Sequence, residues 1–179
     1  IARARAGRLE GTARRAFEAG DQLAAAYLGG LEFLAKNSLD QAANQFQVAL
    51  RIAPDFFPGS FYLGVCYAAA GRDREAVTAW RRSVAANGRV AITYRLLADA
   101  LFRLGQGTLA VDPLTQAAAQ WPDDEQIRRG LGFASLMAGQ HADALAALEP
   151  YLERHESDHE ALLAAMQALY AAHAAGRTL

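Results

Sequence analysis

Cysteine is nearly missing from this chain. Cys66 is the only one in 179 residues, so no disulfide can close within the chain and no zinc site can be built from several thiolates. Glycine and proline are thin as well, at 15 and 5 residues, too few for a linker-rich or disordered chain. Neither sign of charge is in excess: 18 Lys and Arg stand against 19 Asp and Glu. The overall balance therefore points neither to nucleic acid nor to an acidic ligand. No apolar run is long enough to span a membrane. Met is not the first residue. The chain begins at Ile1 and stops in AAHAAGRTL, and it reads as a piece of a longer protein whose targeting signals would lie elsewhere. What is present is apolar residues, 53% of the chain, enough for a real core in one or two small domains or one elongated array.

Those residues repeat. Ala42, Ala76, Ala110 and Ala144 stand 34 residues apart, and the same step links Phe46, Trp80, Leu114 and Leu148. It links Gly30, Gly64, Ala98 and Gly132, and it links Asn37, Gly71, Gly105 and Gly139. It also joins Phe33, Tyr67 and Leu101, a column that Ser135 breaks, and Pro54 to Pro122 through Gly88. Each period holds two amphipathic stretches, as in FYLGVCYAAAG followed by DREAVTAWRRSVAAN. The spacing predicts paired helices of about 12–14 residues, roughly 18–21 Å long. Small residues in the Gly/Ala columns allow close helix approach, and Phe, Trp or Leu fills the gap beside the next helix. Gly71, Gly105 and Gly139 close the first helix of each pair, where a left-handed residue is wanted.

On these residues the chain resembles the tetratricopeptide repeat family. YLGVCYAAAGRDREAVTAWRRSV follows that family's pattern closely. The resemblance implies an all-α fold, an antiparallel helix-pair solenoid wound as a right-handed superhelix. Residues 1–22 read as a capping or connecting helix, with Leu9, Ala13, Ala16 and Phe17 packed on the first repeat. Residues 23–156 read as four repeats, and 157–179 as a partial fifth repeat or cap, with a first helix over 158–174. Tyr151 in a small-residue column, Glu156 in the Pro/Gly column, and Pro113 and Pro150 inside second helices depart from the pattern. Pro113 falls near its helix's start and should cost little, whereas Pro150 should bend its helix.

Residues 155–159 read HESDH, the literal H-E-x-x-H of zinc peptidases. That chemistry needs both histidines on one helical face with Glu between them. In the repeat frame the string straddles a break between helices, and Asp158 or Ser157 is placed to cap the helix that follows. A third ligand is missing too, since His173 lies about four turns further on. The string is read as a solvated turn, with no metal site, no catalytic residues and no cofactor. Cys66, between Val65 and Tyr67, reads as a packed, inert thiol. Arg3, Arg5, Arg8, Arg14 and Arg15 make the first twenty residues basic, which is read as a solvated helix face and not as an arm for nucleic acid or membrane.

In the resembled family the first helices line a concave face where ligands lie. The inward stripe gives Tyr27, Leu31 and Leu34, then Phe61, Val65 and Ala68. It continues with Arg95, Asp99, Phe102 and Arg103, then Arg129, Phe133, Leu136 and Met137, and ends with Leu163, Gln167 and Tyr170. Such a lining expects a protein or peptide partner with apolar anchors, and an acidic group opposite Arg95, Arg103 and Arg129. Arg95, Asp99 and Arg103, four apart on one helix, can equally neutralise one another. Some relatives hold a partner's C-terminal carboxylate in a Lys/Asn/Arg clamp; here that stripe carries Tyr27, Leu31 and Val65, and the clamp is absent. The expected role is a non-catalytic interaction scaffold, the alternative a structural module that forms homo-oligomers through the groove or the terminal repeats.

Overall fold

The computed structural model describes residues 2–18 and 20–175, with side chains for 9–18 and 20–174. Arg3, Arg5 and Arg8 of the basic stretch lie outside the described side chains. Among the described residues all regular structure is helical. The chain divides into two compact units, Ile1–Thr93 and Tyr94–Leu179.

The first unit holds α1 (Ala2–Glu18), α2 (Gln22–Ala35), α3 (Leu39–Ile52), α4 (Phe57–Ala69) and α5 (Asp73–Ala86). Helix α6 (Ala91–Arg103) begins at its end. Consecutive helices pack side by side, and α4 also lies beside α2. Two pairs, α2 with α3 and α4 with α5, carry the core. Phe46 and Ala42 are fully buried, with Leu50, Leu63, Cys66 and Ala79 around them. Burying a Phe of this kind stabilises the fold by about 1.5–3 kcal/mol. The ring of Phe46 stacks on Tyr62 of α4 at 5.6 Å, so the large residue of one pair does reach the next.

It is also seated inside its own pair. A Cβ added to Gly30 would stand 2.6 Å from the Phe46 ring, and one on Gly64 would stand 2.4 Å from the Trp80 indole. In the second unit the same holds for Gly132 and Leu148, again at 2.4 Å. These glycines are sockets: only a missing side chain leaves room for the buried knob sixteen residues later.

The second unit contains most of α6, a 3-10 turn (Gly107–Ala110), α7 (Val111–Gln120), α8 (Glu125–Met137), α9 (His141–Leu152) and α10 (His159–Ala175). Leu114 and Leu148 are buried knobs, and Ala110 and Ala144 are fully buried beneath them. The third repeat's second helix differs from expectation. Its start is the 3-10 turn, and α7 begins only at Val111. Pro113 has no N–H to bond the carbonyl of Leu109, which interrupts the α-type ladder there. Pro150 lies within α9, which runs on to Leu152.

The turn column is uniform in both units. Asn37, Gly71, Gly105 and Gly139 have φ of 58°, 72°, 68° and 73°. After each, the next N–H donates to the carbonyl five residues back, Ser38 to Phe33, Arg72 to Tyr67, Gln106 to Leu101 and Gln140 to Ser135, all at 2.8 Å. This is the hydrogen-bond pattern of a left-handed helix cap. His173 falls in the same column, but α10 continues through it to Ala175; histidine does not favour the left-handed turn as Gly or Asn does.

Phe17 departs from its expected packing. Leu9, Ala13 and Ala16 are half-buried, but Phe17 is 69% exposed. Phe46 is covered because Gly30, on the preceding helix, receives it. Among the described residues no glycine is seated against Phe17.

Candidate functional site

In the first unit the inward stripe is half-buried at every position from Tyr27 to Val65 that the sequence singled out. Tyr27 is held in an aromatic cluster, edge-on to Phe56 at 5.3 Å and 6.1 Å from Tyr62. Leu31 and Leu34 lean on the same core. Phe61 sits edge-on to Tyr62 at 5.2 Å, while its carbonyl accepts the indole N–H of Trp80 at 3.2 Å. These side chains thus serve packing and keep one edge in solvent. Cys66 on the same helix is 1% exposed, and burial pushes its thiol up to about 11, as an inert packed cysteine requires.

In the second unit, α6 and α8 bring the polar part of the stripe together. Asp99 is exposed, yet the helices around it strip enough water to hold its carboxyl above the ordinary range, against the pull of Arg103, Arg95 and Arg129. Arg95 comes within 4.0 Å of Asp124. Phe102 and Met137 meet over Gly107, where a Cβ would stand 2.8 Å and 2.4 Å from them. Phe133 lies under the Arg129 guanidinium at 4.7 Å. Met137 is 50% exposed, and the line continues on α10 with Leu163 at 56% and Tyr170 at 79%.

Arg129 is already matched within the chain. Its Nε donates to Asp158 Oδ2 at 2.7 Å and its Nη2 to Glu160 Oε2 at 2.9 Å. Asp158 also accepts from the Tyr151 hydroxyl at 2.8 Å and from the backbone N–H of Ala161 at 3.0 Å, capping α10. These donors, Arg129 first, hold its carboxyl far below the ordinary range. The repeat frame placed Arg129 on the stripe but gave no sign of this partner, because the carboxylate comes from 29 residues on. The one available signal was Tyr151, a large residue in a small-residue column; its hydroxyl is where that column meets Asp158.

The same hub accounts for HESDH. Residues 153–158 are turn and loop, and α10 starts at His159. His155 Nε2 lies 2.8 Å from Glu125 Oε2, and its ring stacks on Tyr151 at 4.4 Å. His159 Nδ1 pairs with the Ser157 carbonyl at 2.7 Å. The two histidines belong to different contacts on either side of a helix break. Among the described residues no group of three His, Cys, Asp or Glu is placed to share a metal ion.

No family model and no curated protein matches the chain. Solved structures do. The chain is similar to the structure of YrrB, described as a tetratricopeptide repeat protein with an unusual peptide-binding site, with a TM-score of 0.77 and 19% identity over 88% of this chain and 82% of that one. It is similar to the structure of MamA, with a TM-score of 0.73 and 21% identity over 85% and 83% of the two chains. At these identities the likeness speaks to architecture, and it agrees with the 34-residue columns, the left-handed turns and the seated knobs. The chain has the tetratricopeptide-repeat fold, an all-α array of antiparallel helix pairs.

Proposed function

We propose that the protein is a non-catalytic interaction scaffold, and that the first-helix stripe receives a peptide or helix of a partner, or of its own parent chain. The observation that carries this is in the second unit, where Met137, Leu163 and Tyr170 are half or more exposed along first helices. Apolar side chains that stand in water gain from being covered, in proportion to the area removed from it. Apolar anchors of the partner would lie along Phe102, Phe133 and Met137 in this unit, and along Tyr27, Leu31, Leu34, Phe61 and Val65 in the other. Arg95 and Arg103 would border the partner's acidic group; Arg129, paired with Asp158 and Glu160, would act mainly by shaping the Phe133 face.

Peptide-display selection tests this, with Arg95→Glu/Phe133→Ala as control. Enrichment of a motif with apolar anchors and an acidic residue, lost in the double variant, supports the stripe as a reading head. No enrichment against folded protein removes peptide reading.

A second reading, homo-oligomerisation, is favoured by α10. Leu162, Met166 and Leu169 are 46%, 60% and 48% exposed and line the face that in earlier repeats meets a second helix. Light scattering separates the two. A stable dimer that survives the stripe double variant and dissociates in Met166→Glu/Leu169→Glu supports self-association, and a monomer supports the first reading.

A further inference from the structure

Tyr67 in the second repeat and Ser135 in the fourth occupy the same place in their turns, each accepting a 2.8 Å bond from the residue after the left-handed glycine. Their surroundings differ. The Tyr67 ring lies beneath the Arg72 guanidinium at 4.6 Å, and its hydroxyl accepts from Gln47 Nε2 at 2.7 Å. Two periods on, Gln47 becomes Thr115, Arg72 becomes Gln140 and Leu50 becomes Ala118. Each replacement is smaller.

The cleft changes accordingly. In the first unit, the one lined by Gln47, Leu50 and Leu63 has a volume of about 340 Å³. In the second unit, the one bounded by α7, α8 and α9 reaches about 550 Å³ and is lined by Thr115, Ala118, Leu131, Ser135 and Gln140. That is the size range of small-ligand sites, about 300–1,000 Å³. Ser135 is fully buried at this cleft, and its hydroxyl has no hydrogen-bond partner. An unpartnered buried hydroxyl is destabilising relative to a satisfied one. The cleft is separate from the stripe, because Ser135 and Phe133 are two residues apart on α8 and point to opposite sides of it.

Charge marks its rim. Asp112, Asp124 and Asp143 line it together with Arg128; Asp124 caps α8 and is shared with Arg95 at 4.0 Å, and the Arg128 guanidinium is engaged with the Pro122 carbonyl, which leaves Asp112 and Asp143 as the rim carboxylates. Trp121 forms part of the wall.

We propose that this cleft binds a phenol-type ring carrying a protonated amine. The ring lies in the cleft that the smaller side chains leave open, its hydroxyl meets the Thr115 or Gln140 side chain, and the ammonium lies at the Asp112 and Asp143 rim. The group arrives as a free arylalkylamine or as a tyrosine flanked by basic residues in a peptide. The site is independent of the stripe proposed above.

The test is titration of the whole chain with tyramine, p-cresol and 4-hydroxyphenylacetate, followed by NMR at the Trp121 indole N–H. Tyramine should give a saturable shift, p-cresol a weaker one and the carboxylate none. Ser135→Tyr, which refills the cleft from within, should abolish binding. Asp112→Asn/Asp143→Asn, two exposed changes, should weaken tyramine by about tenfold and leave p-cresol unchanged. No saturable shift with any ligand, or tyramine binding that survives Ser135→Tyr, overturns the site. A carboxylate that binds as well as the amine overturns the charge assignment. A Lys-Tyr-Lys peptide capped at both ends forms a last arm: binding tighter than tyramine assigns the ring to a protein segment, and weaker binding assigns it to a small molecule.

Discussion

Gly64 and Trp80 are in contact with no room between them: a Cβ on Gly64 would stand 2.4 Å from the indole Nε1. That nitrogen donates to the Phe61 carbonyl at 3.2 Å, so the indole is fixed at both its face and its edge. Gly64→Ala must push aside a ring that is 1% exposed, and overpacking of this kind costs about 1–3 kcal/mol. Trp80→Ala empties the same space and should cost about 3–5 kcal/mol. Urea unfolding of both variants checks this. If Gly64→Ala is neutral, the socket is not the constraint described.

Ala76 is fully buried one turn before Trp80. Ala76→Leu should overpack the α4–α5 pair and cost about 1–3 kcal/mol. A melting temperature equal to that of the unmodified chain would contradict the seating of these helices.

Asp158 ties α8 to α10 and caps α10. Asp158→Ala removes two charge-assisted hydrogen bonds and the cap together, so a loss of about 2–4 kcal/mol is expected. The pH dependence has a definite sign. The folded carboxyl titrates below its unfolded value of about 3.9, so its contribution is complete above that pH and is lost as the pH falls further. Melting curves from neutral pH downward should show Asp158→Asn closing on the unmodified chain below about pH 4. A gap that stays constant into acid would rule out the Arg129–Asp158 linkage.

The HESDH string should be indifferent to metal. His155 pairs with Glu125 and His159 with the Ser157 carbonyl, so a chelator should leave the thermal melt unchanged and elemental analysis should find no stoichiometric zinc. A chelator-dependent melt, lost in His155→Ala/His159→Ala, would restore the metal reading.

The sequence by itself determined the helices, their turns and their knobs. These depend on local rules that recur every 34 residues: a left-handed position accepts Gly or Asn, and a buried knob has a small residue, Gly or Ala, sixteen residues earlier. Repetition let one period interpret the next, and Ser135 stood out because it broke a column. What only the tertiary structure decided lies where a residue's neighbour comes from outside its own period. Arg129 reads as a free groove cation until Asp158 is brought to it from 29 residues away. Phe17 reads as packed on the first repeat, yet its ring is 69% exposed. The cleft at Ser135 exists because Thr115, Ala118 and Gln140 shrink around the same spot from three segments, and a column of identities records the size of a side chain but not the space left by several small ones together.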